Sequence, residues 1–462
     1  ATVTKEPKLV MHHNGQTIVD IDRDFLDAAG AKRYQDVKIT LPDFTSTPFD
    51  VEGKESFVET TKDVLSDLAV ASQKGLVERF DSSIGNGTVL SPYGGKTYRT
   101  ETEGMAALIP VLGKETTTAS LMSYGYDPKI SIWSPYHGSI YAIIESVAKI
   151  VAMGGDYHKI RFSFQEYFEK LLNEPTRWGK PMAALLGAFR AQKELKLPSI
   201  GGKDSMSGSF EDIHVPPTLV SFAIVSQDVE KVMTPELKGA GHTLVEVMLP
   251  KDEFHIFDFD ALQKQYDQVH ALMEEGKVFA AYTVKAGGLI EAVSKMAFGN
   301  EVGVEFNSDL TIKDLLAKDY GNIVLEVEDA SVVVSMDHVR VIATTNTSKA
   351  LTYKDESIRL DEAYKANSEP LDKVYPTTAK AMTSDMIVKD CHERSPLKAK
   401  VIVETPKVVI PVFPGTNCEY DSKRAFEKAG AKVQLVLIRN KAKCDIQASI
   451  DELESAIKTA NI

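Results

Sequence analysis

Cysteine is scarce in this chain: Cys391, Cys418 and Cys444 are the only three among 462 residues. An odd, sparse set builds no disulfide framework and fits a reducing compartment. No Cys-x-x-Cys or Cys/His spacing points to zinc. The adjacent His12 and His13 read as a surface pair. No apolar run approaches the ~18 residues of a membrane span. Residues 1–5 lack the apolar stretch of a signal peptide. The expectation is a cytoplasmic protein. An excess of positive charge is also lacking, with 53 Lys and Arg against 66 Asp and Glu and a net charge of -13. That argues against a nucleic-acid partner, because phosphate backbones select a basic face. It does not exclude a phosphorylated ligand, since local lysines and Mg²⁺ can reverse the sign inside a pocket.

What is present is an ordinary globular composition, 43% hydrophobic and 26% charged, long enough for about two to four domains. Lys8–Met11 and Thr17–Ile21 read as strands around a turn at Asn14-Gly15. Two strands and a short helix bury no core alone, so residues 1–35 are expected to need a partner surface. Residues 36–71 read as a linker, with a helix over Ser56–Ala71. A first full domain covers residues 72–228. Ile140, Ile143, Ile144, Val147, Ile150 and Val151 recur at helical spacing after Pro135. A second helix spans Thr176–Lys196. A loop follows at 201–207, and an apolar strand at 217–225 closes the domain.

A second domain covers residues 229–375. Strands are expected at 243–247, 279–284, 302–306, 322–328 and 339–344. Helices are expected at 261–275 and 289–298. Interspersed helices and strands favour an α+β fold over an all-parallel sheet. Residues 376–404 read as a polar linker. Residues 405–462 read as one βαβ unit and a further helix, too little for a complete domain.

Four features invite chemistry. Gly201-Gly202-Lys203-Asp204-Ser205-Met206-Ser207 offers backbone N–H groups free to approach a phosphate, a cation, a carboxylate and hydroxyls. Lys203 supplies a point charge, and Asp204 a ligand for Mg²⁺. It is not a Walker A loop, and a plain polar turn is the alternative. Lys285-Ala286-Gly287-Gly288 precedes a helix N-terminus, which favours anions, or is only a tight turn. Glu145 lies off the apolar stripe of its helix. It reads either as a metal ligand or as the i,i+4 ion-pair partner of Lys149. Cys418 sits at a strand-to-helix turn, where a thiol can be activated, but no His partner is assignable and no Gly-x-Gly-x-x-Gly accompanies the βαβ unit.

Several segments together resemble one family. They are Phe80-Asp81-Ser82-Ser83-Ile84-Gly85-Asn86-Gly87-Thr88-Val89, Thr116–Leu121, Ser134-Pro135-Tyr136-His137-Gly138, Pro198–Ser207 and Phe413-Pro414-Gly415-Thr416-Asn417-Cys418. In order and spacing they are similar to phosphoribosylformylglycinamidine synthase, the ATP- and glutamine-dependent ligase of purine synthesis, in its long single-chain form. The resemblance implies aminoimidazole-ribonucleotide-synthetase-like A and B domains. Residues 1–35 then resemble the tail of a preceding B domain, 72–228 an A domain and 229–375 a B domain. Residues 405–462 resemble the start of a class I glutamine amidotransferase α/β domain. The expected partners are a first A–B half, which carries the family's catalytic residues, and the rest of the glutaminase domain.

The same resemblance implies formylglycinamide ribonucleotide, ATP and glutamine as substrates, with Mg²⁺. Gly202 matches a glycine near the nucleotide, and Ser205 matches a serine that contacts the ribonucleotide substrate. Lys203 stands where some relatives carry a metal-binding Asn, so Asp204 is the expected ligand. The family also has an auxiliary nucleotide site with Mg²⁺ ligands on both domains. Glu145 matches one of them. Lys149 stands in place of an Asn, Gly113 of an Asp, Thr283 of an Asp and Lys285 of a Ser. Two other readings stay open. One is a non-catalytic scaffold half with a decayed nucleotide site. The other is another ATP-using enzyme of the superfamily, acting as a homodimer.

Overall fold

The computed structural model describes residues 1–28, 34–80, 87–111, 113–378 and 402–462. They fall into two compact units, residues 1–380 and 381–462.

The N-terminal strands Lys8–His13 and Gln16–Asp22 form the expected antiparallel hairpin. Its turn residues Asn14 and Gly15 both have positive φ, 48° and 78°, as a two-residue hairpin turn requires. Almost every residue of the hairpin is exposed.

The first large sheet has six strands. In spatial order they are Thr88–Leu90, Met105–Leu108, Thr118–Gly125, Thr218–Asp228, Arg161–Tyr167 and Ser199–Lys203. All neighbours are antiparallel except the last two, which are parallel. One face packs on the core helix Pro135–Ala152 and, beyond it, the helix Pro175–Leu195. Ser134 caps the core helix through its side-chain oxygen, with Pro135 in the first turn, a pairing that satisfies the otherwise unpaired N–H groups. The opposite face is apolar but uncovered among the described residues. Met122 and Tyr124 are exposed, and Val220, Phe222 and Ile224 beside them are half-buried.

The second sheet has seven strands, in the order Val278–Thr283, Ile323–Val327, Thr243–Val247, Val339–Asn346, Gly303–Phe306, Ala350–Tyr353 and Glu356–Arg359. One neighbouring pair is parallel, Gly303–Phe306 with Ala350–Tyr353. The mixed, mostly antiparallel sheets agree with the expected α+β class. The helix Gly288–Phe298 is buried along its whole length against this sheet. Residues 36–71 do more than connect: the helix Phe57–Ser66, shorter than expected, buries Phe57 and Leu65 in the same cluster.

Where the two sheets meet, one core continues through both. Ile140, Ile144 and Val147 of the core helix share a cluster with Val245, Tyr266 and Ile323. At roughly 1.5–3 kcal/mol per buried large side chain, this shared core is a major stabilising term.

The second unit contains a parallel strand pair, Lys407–Val412 and Lys432–Leu437, joined through the helix Glu419–Lys428 and followed by Lys443–Ile457. This is the βαβ arrangement expected from the sequence. Most of the 376–404 segment, and Cys391 with it, lies outside the described residues.

Candidate functional site

Residues 201–207 are half strand and half loop. The expected loop begins late because Ser199–Lys203 pairs with Arg161–Tyr167 at the sheet edge, with Gly201 opposite Ser163, Gly202 opposite Phe164 and Lys203 opposite Gln165. Gly201 has φ of 153°. A Cβ on Gly202 would stand 2.2 Å from the carbonyl oxygen of Phe164, so this approach of two backbones requires glycine. Beyond Lys203 the chain is tied down by its backbone. Ser205 N–H donates to Glu166 O at 3.1 Å, and Phe168 N–H donates to Ser205 O at 2.8 Å. The Ser205 and Ser207 hydroxyls lie 2.8 Å apart. Lys203 and Asp204 are exposed.

Glu166 joins this loop and was not singled out from the sequence. Burial, and then the charge of Asp204, raise its carboxyl pKa above the ordinary value. Its strand was missed as well, although Phe162-Ser163-Phe164-Gln165 carries the period-2 alternation that marks one. A pair of carboxylates beside hydroxyls at an open edge suits Mg²⁺ brought in with a phosphate, because Mg²⁺ is usually held by one or two carboxylates plus substrate oxygens.

Glu145 and Lys149 have different surroundings from those the helical pattern implied. The core helix is buried on every side from His137 to Ala152, so no solvent face exists for them. Glu145 Oε1 lies 2.7 Å from Lys149 Nζ, and Glu145 Oε2 accepts from Tyr126 N–H at 3.1 Å. Lys149 Nζ also donates to Tyr124 O at 2.8 Å and stands 4.4 Å from the centre of the Tyr124 ring.

Next to this pair, charged residues from the segments 101–103 and 285–295 converge. Lys285 Nζ donates to Glu103 Oε1 at 2.9 Å. The other oxygen of Glu103 accepts from Thr283 N–H at 3.2 Å and from the Thr283 hydroxyl. Lys295 Nζ bridges Glu101 at 2.7 Å and Glu291 at 3.0 Å. Burial opposes the charge of Lys285 and of Lys295. Glu103 and Glu291 around Lys285, and Glu101 and Glu291 around Lys295, outweigh it and raise both pKa values. Glu145 acts on Lys285 in the same direction.

The helix N-terminus after Gly287-Gly288 has a carboxylate at its first N–H groups. The anion is the chain's own: Gly287 N–H donates to Glu291 Oε2 at 2.8 Å. Glu103 and Glu101 were missed, since only the fold brings them to Lys285 and Lys295. Gly113 has φ of 66°. Among the described residues, no three His, Cys, Asp or Glu side chains are grouped to hold a metal ion. In the second unit Cys418 is exposed, has φ of 64°, and donates to Asn417 Oδ1 at 3.2 Å. No described helix is long and apolar enough to cross a membrane.

Comparison with known proteins supplies context for these sites. Residues 405–456 match the family model of the CobB/CobQ-like glutamine amidotransferase domain. The chain is 25% identical over 334 residues to phosphoribosylformylglycinamidine synthase subunit PurL of Thermoplasma volcanium, covering 67% of this chain and 41% of the relative. It is 23% identical over 332 residues to the same subunit of Thermoplasma acidophilum, again covering 67% and 41%. The chain thus spans about two fifths of these curated relatives. Among solved structures, phosphoribosylformylglycinamidine synthase II of Thermotoga maritima superposes with a TM-score of 0.51 at 12% identity, over 73% of this chain and 55% of that one. PurLQS of Thermotoga maritima gives a TM-score of 0.51 at 12% identity, over 74% and 56%. These structures share the fold. The sequence relatives and the amidotransferase segment agree with the resemblance carried by the motifs: the chain is similar to phosphoribosylformylglycinamidine synthases of the PurL type, and it shares their fold.

Proposed function

We propose that the chain forms part of an ATP-dependent ligase that converts formylglycinamide ribonucleotide and glutamine into formylglycinamidine ribonucleotide. The observation that carries this is the joining, in one chain, of a PurL-type two-sheet unit to an amidotransferase segment at 405–456. One part suits activation of an amide, and the other suits supply of ammonia.

The physical requirements are plain. An amide oxygen is a poor leaving group, and phosphorylation by ATP makes it a good one. Such transfer needs positioned donors and charge rather than a protein nucleophile. At the edge of the first sheet, Gly202 and Ser205 would bind a phosphate group, and Lys203 would add positive charge. Asp204, with Glu166, would hold Mg²⁺, whose role is to neutralise charge on the transferred phosphate. The anchored backbone around Ser205 supports a preorganised contact.

The apolar face of the first sheet, uncovered among the described residues, supports a partner surface, because a monomer rarely leaves such a face in water. A first A–B half suits it. Ammonia transfer also requires a complete glutaminase region, which has to shelter ammonia from water. The reading is therefore that these 462 residues alone do not turn over. Purified chain supplied with formylglycinamide ribonucleotide, glutamine and Mg-ATP should release no glutamine-dependent ADP. Measurable release would refute the part-enzyme reading. Failure of formylglycinamide ribonucleotide to bind even with the missing regions supplied would refute the ligase reading itself.

A scaffold role for the second charge cluster is a specific alternative for that region. It is favoured by the lysines that stand among Glu101, Glu103, Glu145 and Glu291.

A further inference from the structure

Four glutamates meet at the junction of the two sheets. Glu103, Glu145 and Glu291 have side chains no more than 8% exposed, and Glu101 is 24% exposed. In a low-dielectric site such a group needs compensating charge close by. A divalent cation with a bound polyanion is one solution, and it is the one the family resemblance implies here. The side chains present do not fit it.

Seven of the eight carboxylate oxygens already accept from a donor of the chain. Lys285, Lys295 and Lys149 supply four of these contacts, at 2.7–3.0 Å. Thr283, Tyr126 N–H and Gly287 N–H serve the remaining three oxygens. Mg²⁺ demands a near-octahedral set of oxygens at about 2.0–2.1 Å, and none is free to form here. The helix N-terminus that would receive a phosphate is occupied by Glu291.

We propose that this cluster is a metal-independent clamp, in which three internal lysines take the place of a divalent cation and two of them, Lys285 and Lys295, tie the segment at 101–103 to the segment at 285–295. The links are long-range. Lys285 to Glu103 and Lys295 to Glu101 span 182 and 194 residues of chain. The inference stands on this geometry and does not depend on which reaction the complete enzyme performs.

The test is thermal melting of the 462-residue chain with EDTA, with Mg²⁺ and with Mg-ADP. A ligand of the native state present at roughly 100 times its Kd shifts Tm measurably. The clamp predicts no shift through this cluster. A Tm rise with Mg-ADP that disappears in Glu145→Gln would overturn the proposal. A rise unchanged in Glu145→Gln maps to another site and upholds it. Lys285→Ala supplies a second arm, because it leaves the buried Glu103 carboxylate without its cation. This variant should melt below wild type and regain part of the loss with Mn²⁺, to which wild type is indifferent. An equal Mn²⁺ response in wild type, or none in the variant, would count against the substitution of lysine for metal. If the variant does not fold, the wild-type and Glu145→Gln comparison still decides.

Discussion

Replacing Glu103 with Gln should destabilise residues 1–380 far more than a surface change of the same size. The Glu103 side chain is 1% exposed and its Lys285 partner is 14% exposed. Gln keeps the shape but loses the charge, and its NH₂ group must face either the Lys285 ammonium or the Thr283 donors. Removing one partner of a buried pair costs about 3–5 kcal/mol. Over a cooperative unit of 380 residues, roughly 2.1 cal/mol/K per residue makes the unfolding entropy about 0.8 kcal/mol/K, so Tm should fall by about 4–6 °C. Differential scanning calorimetry reads this directly. The pair Glu103→Leu with Lys285→Met should recover part of the loss, since an apolar pair of similar volume is often near neutral, while the buried Thr283 donors still lack their acceptor. A fall of less than about 1 °C for Glu103→Gln would show that the pair is solvated. An equal fall for the single and double variants would show that packing, not charge, holds this junction.

Two further outcomes follow from the same geometry. Gly202→Ala should cost about 1–3 kcal/mol, because its Cβ meets Phe164 O at 2.2 Å. Chemical denaturation would read that loss, and an unchanged midpoint would remove the case for close backbone approach at this edge. Acid titration tests Glu291. Burial raises its pKa, but Lys295, Lys285 and the Gly287 N–H outweigh that and leave it lowered. A lowered folded value contributes stability that is fully present above the ordinary 4.5 and is lost as pH falls through the folded value. Stability measured below pH 4.5 should therefore depend on pH less steeply in Glu291→Gln than in wild type, and equal slopes would refute the assignment.

Local patterns in the chain account for much of the architecture. Asn14-Gly15 sets the hairpin turn through its positive φ angles. Ser134-Pro135 starts the core helix, and Gly154, at φ of 87°, follows its end. The i,i+4 pairing of Glu145 with Lys149 was open to reading and is realised at 2.7 Å. The burial of that pair was not legible, because a helix pattern with two charges on one side looks like a surface helix. A sheet on one side and the second domain on the other enclose it completely. The strands Thr88–Leu90 and Met105–Leu108 escaped reading because runs of three and four residues are too short to show a period.

The loop at 201–207 shows the same division. Its residue types, two glycines with Lys203, Asp204 and Ser205, are apparent in the chain, and so is their fitness for a phosphate. That Ser199–Lys203 is an edge strand depends on pairing with Arg161–Tyr167, and Glu166 joins Asp204 only through that pairing. By itself, then, the sequence determined the hairpin, the core helix, the C-terminal βαβ arrangement and the family likeness, because caps, turns and hydrophobic spacing act within a few residues. Only the tertiary structure decided the company of the charges. Electrostatic partners such as Lys285 and Glu103 are 182 residues apart in the chain and 2.9 Å apart in space, and burial sets the strength of their attraction.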